Sequence, residues 1–191
     1  MTGDTKPQAL ELDPMLKVFR RNPQAATIEA LYGAIVAQAR SPVFYLDYRV
    51  PDTVNGRLDM LMLHLALAFE RLSRGGDKAA ALGQGVFDRF CSDMDDHLRE
   101  QGVSDLKVPK EMRGVGAAFF GRHRAYILAL KDKDRAALRE TLRRNVYAER
   151  NLAGLDALTA YVEAASLALQ RQDETDVASG RIDWPDVAAQ A

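Results

Sequence analysis

The sequence predicts an all-α protein, a single-domain bundle of about six or seven helices built around one central apolar helix. In most segments apolar residues recur every three or four positions, which is the spacing of one buried helical face. No segment shows the alternation of apolar and polar residues that a half-buried strand needs. The segment that ends at Ser73 is apolar on nearly all sides, and such a helix is normally surrounded by others.

Length and composition limit the possible classes of protein. The 191 residues are enough for one domain with its own core and short for two. A hydrophobic content of 47% with 28% charged residues is ordinary for a globular protein in water, and the most apolar run is too short to cross a bilayer. The single cysteine, Cys91, excludes an intramolecular disulfide, and the first residues lack an apolar signal core. We expect a cytoplasmic protein, with peripheral contact at the inner face of the cytoplasmic membrane left open.

The chain divides into an N-terminal segment with a short helix (1–21), a helical domain (22–172) and an acidic C-terminal tail (173–191). The Asp-Pro pair at 13–14 is a typical cap and first turn for the short helix. The Asn-Pro pair at 22–23 repeats this start signal before a long amphipathic helix. In the tail, the few apolar residues predict at most a small docking contact.

The next two elements are a loop and the central helix. Prolines bracket the stretch 42–51, which is rich in aromatic and β-branched residues and predicts an extended loop laid over the core. Asp52 or Thr53 is expected to cap the central helix, which stops at a pair of glycines after Ser73.

A helix, an acidic stripe and a stop signal follow each other between residues 82 and 110. The apolar residues from Leu82 to Leu98 form one buried face. Four polar residues at i, i+3, i+4 and i+7 share another face: Asp93, Asp96, His97 and Glu100. Gly102 is expected to end this helix in the left-handed conformation, and Pro109 to lie in the first turn of the next helix, with Val108 outside helical geometry.

Three more helices are predicted after Pro109. The first, to Leu130, carries a stripe of small residues that suggests close approach of a neighbouring helix. The stripe consists of Gly114, Ala118, Gly121 and Ala125. Asp132 or Asp134 caps a basic helix, and the last helix runs from Leu152 to Gln170.

The charges are unevenly distributed although the net charge is −1. Residues 107–150 contain twelve Lys or Arg against five Asp or Glu, whereas 88–105 hold six acidic and two basic residues. Helices that follow each other in sequence usually pack together, so we expect the two segments to neutralise each other in part. The basic segment leaves a ribosome-associated binding module open as an alternative, while no motif for DNA is present.

No catalytic arrangement emerges from the sequence. Cys91 lies among apolar residues, which is the opposite of an activated thiol, and no glycine loop matches a phosphate-binding pattern. His64, His97 and His123 lie on three different predicted helices. A metal site built from His97, His123 and carboxylates stays open as an alternative, although the Glu-x-x-His repeats of di-metal bundles are absent. His64 is expected to be a hydrogen-bonded core residue.

Five ordered motifs resemble the ubiquinol-cytochrome c chaperone family and cover roughly residues 31–147. They are LYGAIVAQAR from Leu31, VPDTVNGRLDMLMLHL from Val50, DMDDHLREQGVSDLKVPK from Asp93, FFGRHRAY from Phe119 and RNVY from Arg144. The family includes mitochondrial assembly factors for the cytochrome bc1 complex and shorter alphaproteobacterial relatives, and we expect a bacterial member. The resemblance implies a chaperone without catalysis or cofactor that binds newly made cytochrome b or another bc1 subunit. It further implies action near the ribosomal tunnel exit, together with a small partner protein.

The resembling motifs also supply candidate site residues. We hypothesise that polar and aromatic positions in these motifs and in the stretch between the first two form the client-binding surface: Phe44, Tyr45, Tyr48, Asp93, Asp96, His97, Glu100, Lys110, Arg122 and Tyr126. The other motif positions are expected to hold the bundle together: Asp52, Arg57, His64, Asp88, Asp95, Arg99, Gly102, Asp105, Gly121 and Asn145.

Overall fold

The computed structural model describes residues 23–148 and 151–187, and these residues form helices without any strand. The all-α prediction is therefore confirmed. The described helices are α1 (Pro23–Ala39), α2 (Pro42–Leu46), α3 (Val54–Ser73), α4 (Asp77–Glu100), α5 (Val108–Lys131), α6 (Arg135–Asn145), α7 (Leu155–Arg171) and α8 (Glu174–Ala178). The short helix predicted near residue 13 lies outside the described residues.

Helix α3 is the centre of the bundle. Its residues 62–68 are all buried, and α1, α4, α5 and α7 pack on it from different sides. Thr53 caps the helix, since its hydroxyl accepts a hydrogen bond from the Gly56 N–H at 3.1 Å. Asp52 instead forms an exposed ion pair with Arg57 at 2.6 Å. The predicted central apolar helix is confirmed.

The proline-bracketed stretch is not the extended loop that its composition predicts. Its first five residues form α2, with Pro42 in the first turn, where the missing N–H of proline is not needed. Phe44 and Tyr48 are fully buried, and Val50 is nearly so. The stretch is therefore part of the core.

The junction between α4 and α5 follows the predicted stop signal closely. Gly102 has a φ of +80°, and the N–H of Val103 donates to the carbonyl of Leu98 at 3.0 Å, which closes the helix end. Arg99 bridges two carboxylates here, those of Asp95 and Asp105. Val108 is already helical, so its predicted exclusion from α5 is wrong by one residue, with Pro109 still in the first turn.

The small-residue stripe of α5 does not meet a neighbouring helix. A Cβ added at Gly114 or at Gly121 would have no neighbouring atom within 4 Å, and both residues are exposed. The predicted close approach is therefore wrong for the described part of the chain. The glycines lie on the outside of the bundle, where nothing packs on them.

Contrary to the expectation from sequence, the described residues of the basic segment (107–148) form no ion pair with the carboxylates of α4. On α5, Arg122 pairs with Asp59 at 2.8 Å and Lys131 pairs with Glu70 at 3.1 Å, and both carboxylates belong to α3. The arginines of α6 pair with carboxylates of α7 or of α6 itself. Asp134 caps α6 by accepting a hydrogen bond from the Ala137 N–H at 2.9 Å. Asn145 is its last residue.

The residues after α7 pack on the bundle. Val177, Ile182 and Val187 are buried in the same hydrophobic core as the other helices. The hydroxyl of Tyr48 donates to the carbonyl of Val187 at 2.7 Å, so the 42–50 stretch and the chain near residue 187 hold each other in place.

A polar group lies in the middle of this apolar core. His64 of α3 is fully buried, with Nδ1 at 2.8 Å from the carbonyl of Met60 and Nε2 at 2.9 Å from the hydroxyl of Tyr161. Gln38 of α1 donates to the same hydroxyl at 2.9 Å. His64 therefore ties α3 to α7 and through Tyr161 to α1, and its predicted role as a hydrogen-bonded core histidine is confirmed.

Two glycine substitutions should have opposite effects on stability. A Cβ at Gly154 would lie 1.8 Å from the carbonyl oxygen of Tyr48, which is backbone and cannot move aside, so Gly154→Ala should cost more than about 3 kcal/mol. Gly121→Ala meets open space inside a helix and should add about 0.5–1 kcal/mol. Urea unfolding measures both. Equal effects of the two substitutions would contradict the described packing.

His64 should make stability depend on pH. Burial lowers its pKa to about 4, against about 6.5 in the unfolded chain, so it stabilises the fold fully above pH 6.5 and loses this contribution as the pH falls to 4. The stability difference between wild type and His64→Gln should shrink by roughly 3 kcal/mol over this range. Burial raises the pKa of Asp59 to about 6, which gives a slope of opposite sign. The difference from the variant, rather than the wild-type curve alone, therefore isolates His64.

Candidate functional site

Helices α1, α3 and α4 enclose an open cleft of about 550 Å³. Its floor is apolar and its rim is charged. The lining residues are Val36, Ala39, Arg40, Val54, Arg57, Leu58, Leu61, Asp93, Met94, Asp96, His97 and Glu100. The whole acidic stripe predicted from the sequence thus lies along one wall of this cleft.

Asp93 lines the cleft but also joins two helices. One of its carboxylate oxygens accepts a hydrogen bond from the hydroxyl of Tyr32 at 2.8 Å, and the other accepts one from Arg89 at 2.5 Å. The Arg89 guanidinium also lies over the Tyr32 ring. Burial by itself would raise the pKa of Asp93, but the hydrogen bonds from Arg89 and Tyr32 outweigh it and lower the pKa. Asp93 therefore stays ionised and fastens α1 to α4.

The rest of the stripe is free of such contacts. Asp96 and Glu100 are exposed and form no ion pair within the described residues. His97 is exposed too, with its Nε2 at 2.7 Å from the side-chain nitrogen of Gln101. The cleft therefore presents two carboxyl side chains that the fold itself does not use.

The aromatic residues assigned to the client surface lie elsewhere. Phe44, Tyr48 and Tyr126 are fully buried, so these three side chains belong to the core and present no surface to a client. Tyr45 is half-buried; its hydroxyl donates to the carbonyl of Ala39 at 2.7 Å and its ring lies under the guanidinium of Arg57. The stretch 42–51 mixes aromatic and aliphatic residues between two prolines, and this composition does not indicate which side chains turn inward.

Lys110 and Arg122 lie on α5 and do not line the cleft. Arg122 is three-quarters buried, paired with Asp59 and in contact with the sulfur of Met62. Burial raises the pKa of Asp59 to about 6, and Arg122 offsets only part of this effect. Arg122 is therefore a packing residue, whereas Lys110 is exposed and without an ion pair among the described residues.

Sequence reasoning missed the floor of the cleft. Leu58 and Leu61 of α3 and Met94 of α4 are only partly buried and line the cleft. The sequence signal that could have indicated this floor is that α3 is apolar on nearly all sides, because a helix that buries only one face needs fewer leucines. The exposed Val54 at the mouth, 66% accessible, extends this apolar surface outward.

A second cleft of about 620 Å³ lies between α5, α6 and α7. Its charges are largely satisfied, because Glu70 pairs with Arg74 and Lys131, and Glu163 pairs with Arg135. This cleft offers less unused charge than the one between α1, α3 and α4.

The described residues hold no group of three His, Cys, Asp or Glu side chains arranged to bind a metal ion. His64 is in the core, His97 is on the cleft wall, and His123 lies 3.4 Å from Glu70. Burial lowers the pKa of His123, and the nearby carboxylate only partly offsets this. No described helix is long and apolar enough to cross a bilayer.

The fold and the cleft define a helical binding protein with an apolar groove, of which the α4 wall is acidic and the opposite rim carries Arg40 and Arg57. A family model described as ubiquinol-cytochrome C chaperone matches residues 46–184, nearly three-quarters of the chain. The chain therefore belongs to the ubiquinol-cytochrome c chaperone family, and the resemblance found from the sequence motifs is confirmed. The family consists of non-catalytic assembly factors, so the protein is a chaperone and not an enzyme.

Among solved structures, the chain is similar to the crystal structure of the Cbp3 homolog from Brucella abortus. The two chains are 37% identical, the TM-score is 0.81, and the match covers 91% of this chain and 98% of the other. A comparison with curated protein sequences found no significant match.

The contacts of the acidic stripe predict different effects on stability. Asp93→Ala leaves the Tyr32 hydroxyl without its acceptor and Arg89 paired with Glu29 alone, and it should cost about 1–2 kcal/mol. Asp96→Ala and Glu100→Ala remove no contact of the fold and should change stability by less than about 0.5 kcal/mol. Thermal unfolding of the three single variants checks this, and a large loss for Asp96→Ala would show that the stripe is structural throughout.

Proposed function

We propose that this chaperone binds newly made cytochrome b and promotes assembly of the ubiquinol-cytochrome c reductase (bc1) complex, at the cytoplasmic face of the membrane. Membership in the ubiquinol-cytochrome c chaperone family supports the pathway. The observation that carries the proposed binding mode is the cleft between α1, α3 and α4, with its apolar floor and unused carboxylates.

The chemistry of the cleft matches the ends of membrane segments. Such segments are apolar, and on the cytoplasmic side they are flanked by an excess of Lys and Arg. Apolar client side chains would cover Leu58, Leu61 and Met94, while basic flanking residues would lie against Asp96 and Glu100. Both kinds of contact are available together because Met94 and the carboxylates of Asp96 and Glu100 line the same cleft.

The size of the cleft suggests brief binding. A volume of about 550 Å³ admits a few side chains from one face of a segment, not a complete membrane span. Burying two or three leucine-sized side chains yields roughly 3–9 kcal/mol, and the loss of free motion on association offsets much of this. A chaperone has to release its client to the assembling complex, and weak binding permits release.

A contact with the ribosome has less support than client binding in the cleft. The arginine-rich helix α6 motivates it, but Arg135 and Arg139 pair with Glu163 and Asp156 of α7, and Arg143 pairs with Glu140 within α6. These cations are already engaged, so the cleft is the better candidate for the first contact with a client.

The test is a pull-down from the protein's own cells, crosslinked before lysis and followed by mass spectrometry. Cytochrome b should be enriched over other membrane proteins with the wild-type chain. Asp96→Asn/Glu100→Gln should reduce this enrichment about fivefold or more, because two charge-assisted contacts are lost while the fold is kept.

A matched control removes two carboxylates elsewhere. Glu111 and Asp132 are exposed and form no ion pair within the described residues, so Glu111→Gln/Asp132→Asn changes the net charge equally without touching the cleft. The control should capture cytochrome b as well as wild type does. Equal loss in both variants would contradict the cleft as the binding site, and absence of cytochrome b from the wild-type sample would contradict the proposed client.

A further inference from the structure

The outward side of α5 carries cations that the protein does not use. Lys110, Arg113 and Arg124 are exposed and form no ion pair among the residues that the structure describes. Most other arginines differ: Arg57, Arg74, Arg89, Arg99, Arg122, Arg135, Arg139, Arg143, Arg144 and Arg181 each pair with a carboxylate. The three α5 cations are therefore available for a negatively charged partner, and they lie together on one helix.

The same side of α5 exposes apolar side chains. At 100° per residue, Lys110, Arg113, Phe120, Arg124 and Leu128 fall on one half of the helix, over a length of about 27 Å. Phe120 is 48% and Leu128 57% accessible. We refer to these five residues as the α5 outer face. Glu111 is the one acidic residue in α5 and points about 100° away from Lys110.

Small residues make this surface flat. Gly114, Ala117 and Gly121 lie between the cations and are exposed, and an added Cβ at either glycine would meet no atom within 4 Å. A broad, flat partner can therefore approach the helix backbone closely, so that all three cations reach it at once.

We propose that the α5 outer face docks on an anionic membrane surface. Basic side chains combined with exposed apolar ones along one helix face are typical of helices that lie at a lipid interface. A nucleic acid would use the cations but would gain nothing from an aliphatic Leu128, and duplex RNA is recognised through its phosphates and 2′-hydroxyls. This inference rests on the proposed location at the membrane, and it adds which surface of the protein makes the contact.

The surface also differs from the cleft. The cleft lies between α1, α3 and α4, whereas the outer face belongs to α5 alone. The cleft would hold the client while α5 contacts the lipid surface, so that client capture and membrane contact can occur together.

Vesicle sedimentation of the full chain, without any client, tests the inference. Wild type should bind phosphatidylcholine vesicles that contain phosphatidylglycerol, bind pure phosphatidylcholine weakly, and dissociate as salt is raised. Lys110→Gln/Arg124→Gln should lower the partition coefficient about tenfold or more. Leu128→Ser should lower the fraction that stays bound at high salt, because the apolar contact is not screened.

The matched control is Lys78→Gln/Arg171→Gln, which removes two exposed cations that also lack an ion pair in the described structure. It should bind within about twofold of wild type. The inference would be overturned by equal loss of binding in both double variants or by the absence of a preference for anionic vesicles. It would also be overturned if the protein bound an RNA duplex but not vesicles. If vesicles fail to bind while cytochrome b is still captured, the proposed function stands and the α5 inference falls.

Discussion

The central helix α3 sets the constraint from which the rest of the bundle follows. A helix that is apolar on nearly all sides is stable in water only if other helices cover it, and α1, α4, α5 and α7 do so. His64 makes this covering specific. A buried imidazole without hydrogen-bond partners would cost about 1–3 kcal/mol, so α7 must place the Tyr161 hydroxyl opposite it, and α1 must bring Gln38 to that hydroxyl.

The cleft exists because this covering is incomplete. Helices α1 and α4 run side by side, with Ile28 against Gly85 and Tyr32 against Asp93. Asp93 closes the contact between the two helices, and past it α1 continues to Ala39 and α4 to Glu100, with Val36 and Ala39 lining the α1 side of the cleft. Beyond the Asp93 link, the partly buried leucines of α3 form a floor without a lid. One carboxylate of the stripe therefore fastens the structure, and the carboxylates that follow it on α4 remain available for a partner.

The sequence predicted the helices well because each depends on local signals. Periodicity located α1, α3, α4 and α7, and the left-handed Gly102 ended α4 as expected. Two of the predictions that failed did so because they need tertiary information. The aromatic residues of 42–50 could have covered the core or faced water, and only the packing of Tyr48 against the chain near Val187 decides for burial. A row of small residues is equally compatible with a tight helix contact and with a bare surface, and on α5 it is bare.

The acidic and basic segments can remain unpaired with each other because exposed ion pairs contribute little to the stability of the fold. Such a pair contributes about 0–1 kcal/mol, so leaving Asp96, Glu100, Lys110 or Arg124 unpaired costs the fold little. Asp93 and Arg122 differ because their partners are partly buried, and removing either would leave a buried polar group unsatisfied. Consecutive acidic and basic segments thus need not neutralise each other. Each can keep its charge for a different partner, and the positions proposed to bind partners are those that the fold does not require.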